Sequence, residues 1–169
     1  MDPFARQARQ YLLSRPTYPT EFLLKIKSRV GKNSTSKTCL DVACGSGQLT
    51  TQLAEFFQEV VGVDRSLPQL KEAMKHDRVR YEPIEDATNL TSFKTNEWDC
   101  VTLAQALHWL PLEHALSEFH RVLKPNGIFA VMGYGICHLQ SAPSESHILT
   151  RACVRILKTK TNDRCYILL

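Results

Sequence analysis

From residue 38 onward, short runs of apolar residues alternate with segments in which apolar positions recur every three or four residues. TCLDVA (38–43) is an apolar run that ends at a glycine turn, the mark of a buried strand. In QLTTQLAEFF (48–57), Leu49, Leu53 and Phe57 fall on one stripe of a helix. EVVGVDRS (59–66) predicts a second strand, and LPQLKEAMKHD (67–77) a second helix opened by Pro68. VRYEPIED (79–86) predicts a third strand, interrupted by Pro83, and WDCVTLAQAL (98–107) a fourth. PLEHALSEFHRVLK (111–124) is the strongest helical pattern. Leu112, Leu116, Phe119 and Leu123 form its stripe, Pro111 suits its first turn, and Pro125-Asn126-Gly127 stop it. GIFAVMGYG (127–135) predicts a fifth strand, apolar on both faces.

Strands that are apolar throughout and separated by helices imply a parallel sheet covered on both sides. The expected fold class is therefore α/β, a doubly wound, mostly parallel, Rossmann-like sheet. Its ligand would lie beyond the C-terminal ends of the strands, near the point where strand order reverses. Residues 1–37 read as a helical cap, PFARQARQYLLSRP then YPTEFLLKIKSRV, closed by the polar linker GKNSTSKT. Residues 38–135 form the core and 136–169 a divergent tail.

Composition narrows the class. The chain has 169 residues, enough for one domain with a sizeable core, and is 43% hydrophobic and 22% charged. The net charge of +4 is scattered, without the basic face or groove-reading aromatics of a nucleic-acid binder, so no nucleic-acid partner is expected. The six cysteines make no CxxC pair, and Cys39, Cys44 and Cys100 sit in apolar runs as small hydrophobes. No secretory signal opens the sequence and no stretch of 18 apolar residues occurs. A reduced, cytoplasmic protein without a membrane span is expected.

The turn ACGSG carries the first chemistry. Gly45 and Gly47 let the backbone bend sharply and approach a ligand, and the start of the 48–57 helix offers N–H groups to an anionic group. Nineteen residues after Gly45, Asp64 ends the second strand, where a carboxylate can accept hydrogen bonds from ribose hydroxyls. Strand, turn, helix, strand and acid together point to a nucleoside-type cofactor. NAD fits poorly, because the third glycine of its GxGxxG fingerprint is Thr50 here. Asp41, just before the turn, would also repel a pyrophosphate while suiting a cationic cofactor.

LDVACGSGQ, VVGVDRS, EDATNL, WDCVTLAQALHW and RVLKPNGIFAV resemble, in order and spacing, the motifs of class I S-adenosylmethionine-dependent methyltransferases. The nearest subgroup is the small-molecule type that includes trans-aconitate methyltransferases. The resemblance implies S-adenosyl-L-methionine as cofactor and runs from about Tyr11 to Gly135. It implies that Asp41 and the turn Ala43, Cys44, Gly45, Ser46 and Gly47 hold the methionine part, and that Asp64 binds the ribose. Arg65 and Ser66 would line the adenine side, Asp86 and Ala87 would meet the adenine amino group, and Ala104 and Gln105 would lie under the sulfonium. Tyr11, Arg15 and Tyr18 would belong to a segment folded over the cofactor, or else to ordinary helix-cap packing. Ala43 departs mildly from the family's usual glycine, as the smallest residue that still calls for negative φ.

Methyl transfer from a sulfonium is an in-line displacement from an activated donor, so alignment and exclusion of water do most of the work. A base is needed only if the acceptor must lose a proton, and a carboxylate acceptor needs none. The expected acceptor is a small molecule, methylated on a carboxylate oxygen. His108 at the rim could bind it or act as a base, or merely bond a backbone group and fix the loop. Trp109 would form the pocket wall. The six histidines show no metal-ligand spacing, so no metal is expected, and there is no GxSxG elbow.

The tail departs from the family, whose members add a helical insert and two closing strands. Here SESHILTRACVRILK can form one helix, and CYILL can pair as a short strand or remain disordered. With the closing hairpin absent, the fifth strand would be a bare apolar edge and part of the acceptor pocket would be missing. The second reading is thus a truncated, non-catalytic form that binds cofactor weakly or acts only by association. The oligomeric state is open.

Overall fold

The computed structural model describes residues 17–30 and 37–133, together with the backbone of Cys165–Leu168. The elements in chain order are α1 (Thr20–Arg29), β1 (Thr38–Val42), α2 (Gln48–Leu53), β2 (Glu59–Asp64), α3 (Leu67–Lys71), β3 (Val79–Pro83) and β4 (Trp98–Ala104). A 3-10 turn (Leu107–Trp109), α4 (Leu112–Val122), β5 (Leu123–Met132) and β6 (Cys165–Leu168) follow. The strands form one sheet in the order β3-β2-β1-β4-β5-β6, and every pairing is parallel. Strand order reverses between β1 and β4, as the doubly wound class requires. The helix read within 144–158 lies outside the described residues.

Alternation along the strands divides the core between the two faces. Leu40, Val42, Val61, Val63, Val101, Leu103, Phe129 and Val131 pack with Ala115, Phe119 and Val122 of α4 and with Leu90, Phe93 and Trp98. On the other face Cys39, Val60, Cys100, Ile128, Ala130 and Met132 meet Leu23 and Ile26 of α1, Leu49 and Leu53 of α2, and Phe57. At roughly 2 kcal/mol for each large apolar side chain fully buried, either cluster alone outweighs any single polar contact in the fold. Among the described residues, no helix is long and apolar enough to cross a membrane.

Several expectations change, and the helix read over 67–77 ends at Lys71. The 48–57 helix stops at Leu53 because Phe56 and Phe57 both donate to the Leu53 carbonyl, closing a tight turn that brings the chain into β2. The α4 stripe is rotated: Ala115, Phe119 and Val122 are buried, Leu116 is half-buried and Leu112 is exposed. Pro125-Asn126-Gly127 does not separate helix from strand. β5 begins at Leu123, opposite Trp98, and the next pair is Cys100 with Ile128, so the intervening residues bulge out with Asn126 at φ 63°. The fifth strand is also not a bare edge. Cys165–Leu168 takes the strand option and pairs along Ile128–Val131.

Candidate functional site

β1 and β4 end beside each other at the reversal point, and a cavity of about 390 Å³ opens above them. Its wall contains Tyr18, Asp41, Ala43, Cys44, Gly45, Ser46, Asp64, Arg65, Ser66, Asp86, Ala87, Ala104, Gln105 and Trp109 from the residues singled out in the sequence. Gly47 and His108 are not on the wall, and Tyr11 and Arg15 lie outside the described residues. Gln48, Leu49, Gln69, Ile84, Glu85, Ala106, Leu110 and Pro111 complete it. The size suits a ligand of a few tens of atoms.

The loop after β1 is built from left-handed residues. Gly45 (φ 58°) and Gly47 (φ 80°) use the freedom expected of them, and a Cβ at Gly47 would collide with the Tyr81 hydroxyl. Ala43 contradicts its expectation, since it sits at φ 53°. An L-residue there costs about 1–2 kcal/mol, so the turn holds the alanine in a strained conformation. Asp64 fixes the loop. Its Oδ2 accepts from the Gly45 N–H at 2.8 Å and its Oδ1 from the Ser66 N–H at 2.8 Å. One carboxylate at the end of β2 thereby joins the two loops that flank the cavity.

Asp41 lies on the α2 face of the sheet and is buried. Its Oδ2 accepts from Thr50 Oγ1 and its Oδ1 from Thr102 Oγ1, both at 2.7 Å, tying β1 to α2 and β4. Burial pushes its pKa up to about 6. The two threonine hydroxyls oppose that rise, and the Asp64 charge adds to it. Thr50, the residue standing where a dinucleotide loop has its third glycine, is thus committed to the acid. Burial likewise raises the Cys44 thiol well above its ordinary value, with Asp41 and Asp64 contributing, so that thiol is a neutral part of the wall.

Gln52 on α2 clasps residue 18, accepting from the Tyr18 N–H at 3.0 Å and donating to the Tyr18 carbonyl at 2.9 Å. Beyond β3, Asp86 is exposed and its Oδ1 accepts from the Thr88 N–H at 2.8 Å, an Asx turn that shapes the loop.

The end of β4 is arranged differently. Gln105 is left-handed (φ 56°), its N–H extends the ladder to the Met132 carbonyl at 2.8 Å, and its side-chain Nε2 is buried without a partner. The 3-10 turn then carries His108 outward, its ring 5.0 Å from that of Trp109. Trp109 is 65% exposed yet stands on the cavity wall. His108 therefore stands off the cavity wall, while its neighbour Trp109 is part of it.

Sequence reasoning missed Gln69, which is 5% exposed and whose Oε1 has no partner. The lone polar residue on the inner side of LPQLK was the available signal. It also missed the charge balance of the wall, where, among the described residues, Asp41, Asp64, Glu85 and Asp86 stand with a single guanidinium, Arg65. Among the described residues no group of three or more His, Cys, Asp or Glu could hold a metal ion.

Residues 40–131 match the family model of a methyltransferase domain. A Dictyostelium discoideum protein named only as a methyltransferase is 33% identical over 135 residues, covering 80% of this chain and 50% of its own. A Saccharomyces cerevisiae protein named as an S-adenosylmethionine-dependent methyltransferase, CRG1, is 31% identical over 129 residues, covering 71% and 43%. Phosphoethanolamine N-methyltransferase 2 of Haemonchus contortus, solved with S-adenosyl-L-methionine, superposes with a TM-score of 0.56 at 29% identity, over 73% of this chain and 30% of that one. The chain belongs to the methyltransferase-domain family, in the class I S-adenosylmethionine-dependent group. It spans about half the length of the curated relatives it matches.

Proposed function

We propose that this chain binds S-adenosyl-L-methionine and transfers its methyl group to a small molecule. The observation that carries the reading is the bridge from Asp64 to the Gly45 N–H at 2.8 Å, on the wall of a cavity at the β1–β4 reversal point. A carboxylate in that place keeps further lone pairs for a ribose diol, and the glycine loop lets a ligand approach the backbone. Asp41 supports a cofactor carrying positive charge and disfavours a pyrophosphate. When bound, S-adenosylmethionine supplies a methyl group already activated on a sulfonium. The protein then has to align the acceptor and keep water out.

Ala104 and Gln105 lie under the sulfonium in this proposal, His108 and Trp109 form the acceptor end, and Tyr18 stands on the cofactor side of the wall. The trans-aconitate-like resemblance supports a small-molecule acceptor. Among the described residues the wall carries four carboxylates and one guanidinium, which favours a neutral acceptor with an apolar body over the free carboxylate expected from the sequence. A reduced, cytoplasmic setting stays part of the proposal, in keeping with the free thiols of Cys39, Cys44 and Cys100.

Calorimetric titration of the folded chain with S-adenosylmethionine tests the reading, followed by transfer of labelled methyl to a panel of small acceptors. Saturable heat and labelled product are expected. Heat without product from any acceptor would favour the non-catalytic binding form, and tighter binding of NAD would sink the cofactor assignment.

A further inference from the structure

Gln69 sits on the cavity wall near the start of α3, 5% exposed, and its side-chain oxygen has no hydrogen-bond partner. That oxygen would lie 2.8 Å from a Cβ placed on Gly45, so it is turned against the glycine loop. Gly45 is also the residue whose N–H reaches Asp64 at 2.8 Å. Two oxygen acceptors, one charged and one neutral, thus converge on the same residue of the wall. A buried amide oxygen left unmatched is costly, which is a reason to look for a donor that joins it.

We infer that Gln69 is a second ribose-binding residue, which takes one hydroxyl of the cofactor's vicinal diol while Asp64 takes the other. This rests on the proposal that the cavity holds S-adenosylmethionine. Asp64 already receives two backbone N–H groups, one on each oxygen, so its remaining capacity is divided. A diol brings two O–H donors to adjacent positions, and a second acceptor satisfies both without crowding one carboxylate. The Gln69 amide turns about its terminal bond from Gly45 toward the ligand, exchanging an unmatched position for a matched one. Gly45 is needed for this as well as for its φ of 58°, since a side chain there would occupy the place of the amide oxygen.

The test is calorimetric titration with S-adenosylhomocysteine and its 2′-deoxy and 3′-deoxy analogues, for the wild type, Gln69→Met and Gln69→Glu. Gln69→Met should weaken S-adenosylhomocysteine about five- to tenfold and erase the penalty for losing one particular hydroxyl, leaving the other penalty intact. Gln69→Glu, which keeps an acceptor, should retain the discrimination between analogues. Since Gln69→Met removes an unmatched oxygen, its melting temperature should not fall below that of the wild type. Unchanged affinity in Gln69→Met, or both deoxy penalties persisting in it, would overturn the inference while leaving the cofactor assignment in place. Failure of the folded wild type to bind S-adenosylhomocysteine at all would overturn both.

Discussion

Two turns leave the sheet side by side at the reversal point, and each does so through a non-glycine residue in the left-handed region. Ala43 (φ 53°) follows the end of β1 and Gln105 (φ 56°) the end of β4. After Ala43 the chain is tied down: Gly45 to Asp64, Cys44 N–H to the Val63 carbonyl, and Ser46 by its carbonyl to the Met74 N–H. After Gln105 the chain swings outward into a three-residue turn that ends on an exposed tryptophan, with the Gln105 amide nitrogen unmatched. The same backbone strain therefore serves two purposes. On the proposed reading, the first turn has its polar groups placed in advance for the cofactor, and the second presents a surface to the acceptor.

The largest effect that could break this contrast is at Asp64. Asp64→Ala leaves the Gly45 and Ser66 N–H groups without their acceptor, and hydrogen bonds to a charged group are worth about 1.5–3 kcal/mol each. S-adenosylhomocysteine affinity should drop by two orders of magnitude or more in calorimetry, with a clear loss of thermal stability. Near-normal affinity would show that the first turn is not organised around the cofactor.

Asp41 comes next, and here stability and binding should separate. Its folded pKa near 6 stands above the ordinary value of 3.8, so the native state holds the proton more tightly than the unfolded chain. Stability from this group is therefore lost as pH rises from about 4 to about 6, and the cost, up to roughly 3 kcal/mol, is fully present above that window. Asp99 works in the opposite sense. Burial disfavours its charge, but the Lys124 ammonium and the Thr38 donors hold its carboxyl below the usual range, so only a difference curve isolates Asp41. Asp41→Asn should match the wild type near pH 4, gain stability relative to it through pH 6, and bind the cationic cofactor more weakly at pH 7.5. A stability difference that does not change with pH would refute the assignment.

The first turn was readable in the sequence because its parts are local and chemically distinctive: a glycine pair, an acid before it and an acid nineteen residues later. The parallel order was readable because β1, β2, β4 and β5 are apolar on both faces. The second turn was only half readable. AQALHW announced chemistry, yet a single 3-10 turn decides which of two adjacent aromatic rings faces the cavity, and no periodicity encodes that. The rotation of α4 escaped for a similar reason, since Ala115 competes with Leu112 for burial and the tighter fit against the sheet favours the small residue. Gln69 was hidden because a glutamine two residues into a short helix looks like surface until the glycine loop is laid over it.

Ala43→Gly offers a gentler probe of the shared strain. Glycine adopts positive φ freely, so the substitution removes a backbone cost of about 1–2 kcal/mol, offset by its greater freedom in the unfolded chain. A net gain of about 0.5–1 kcal/mol by chemical denaturation is expected, with cofactor affinity kept within about threefold. A loss of stability would mean that the alanine methyl contributes more packing than the turn loses in strain.

The smallest effect on the fold, and the most selective on function, belongs to Trp109. Being 65% exposed, it buries little, and Trp109→Ala should change stability by no more than about 0.5 kcal/mol. The chain's other tryptophan, Trp98, is 2% exposed beneath Phe93, with ring centroids 5.5 Å apart. The two indoles should therefore report separately in fluorescence quenching, acrylamide reaching Trp109 while leaving Trp98 largely shielded. If the second turn faces the acceptor, S-adenosylhomocysteine should protect Trp109 only in part, and an acceptor that yields product should protect it further. Methyl transfer by Trp109→Ala should then show a raised KM for acceptor at little changed cofactor affinity. Equal weakening of cofactor and acceptor would merge the two turns into one ligand site and end the contrast between them.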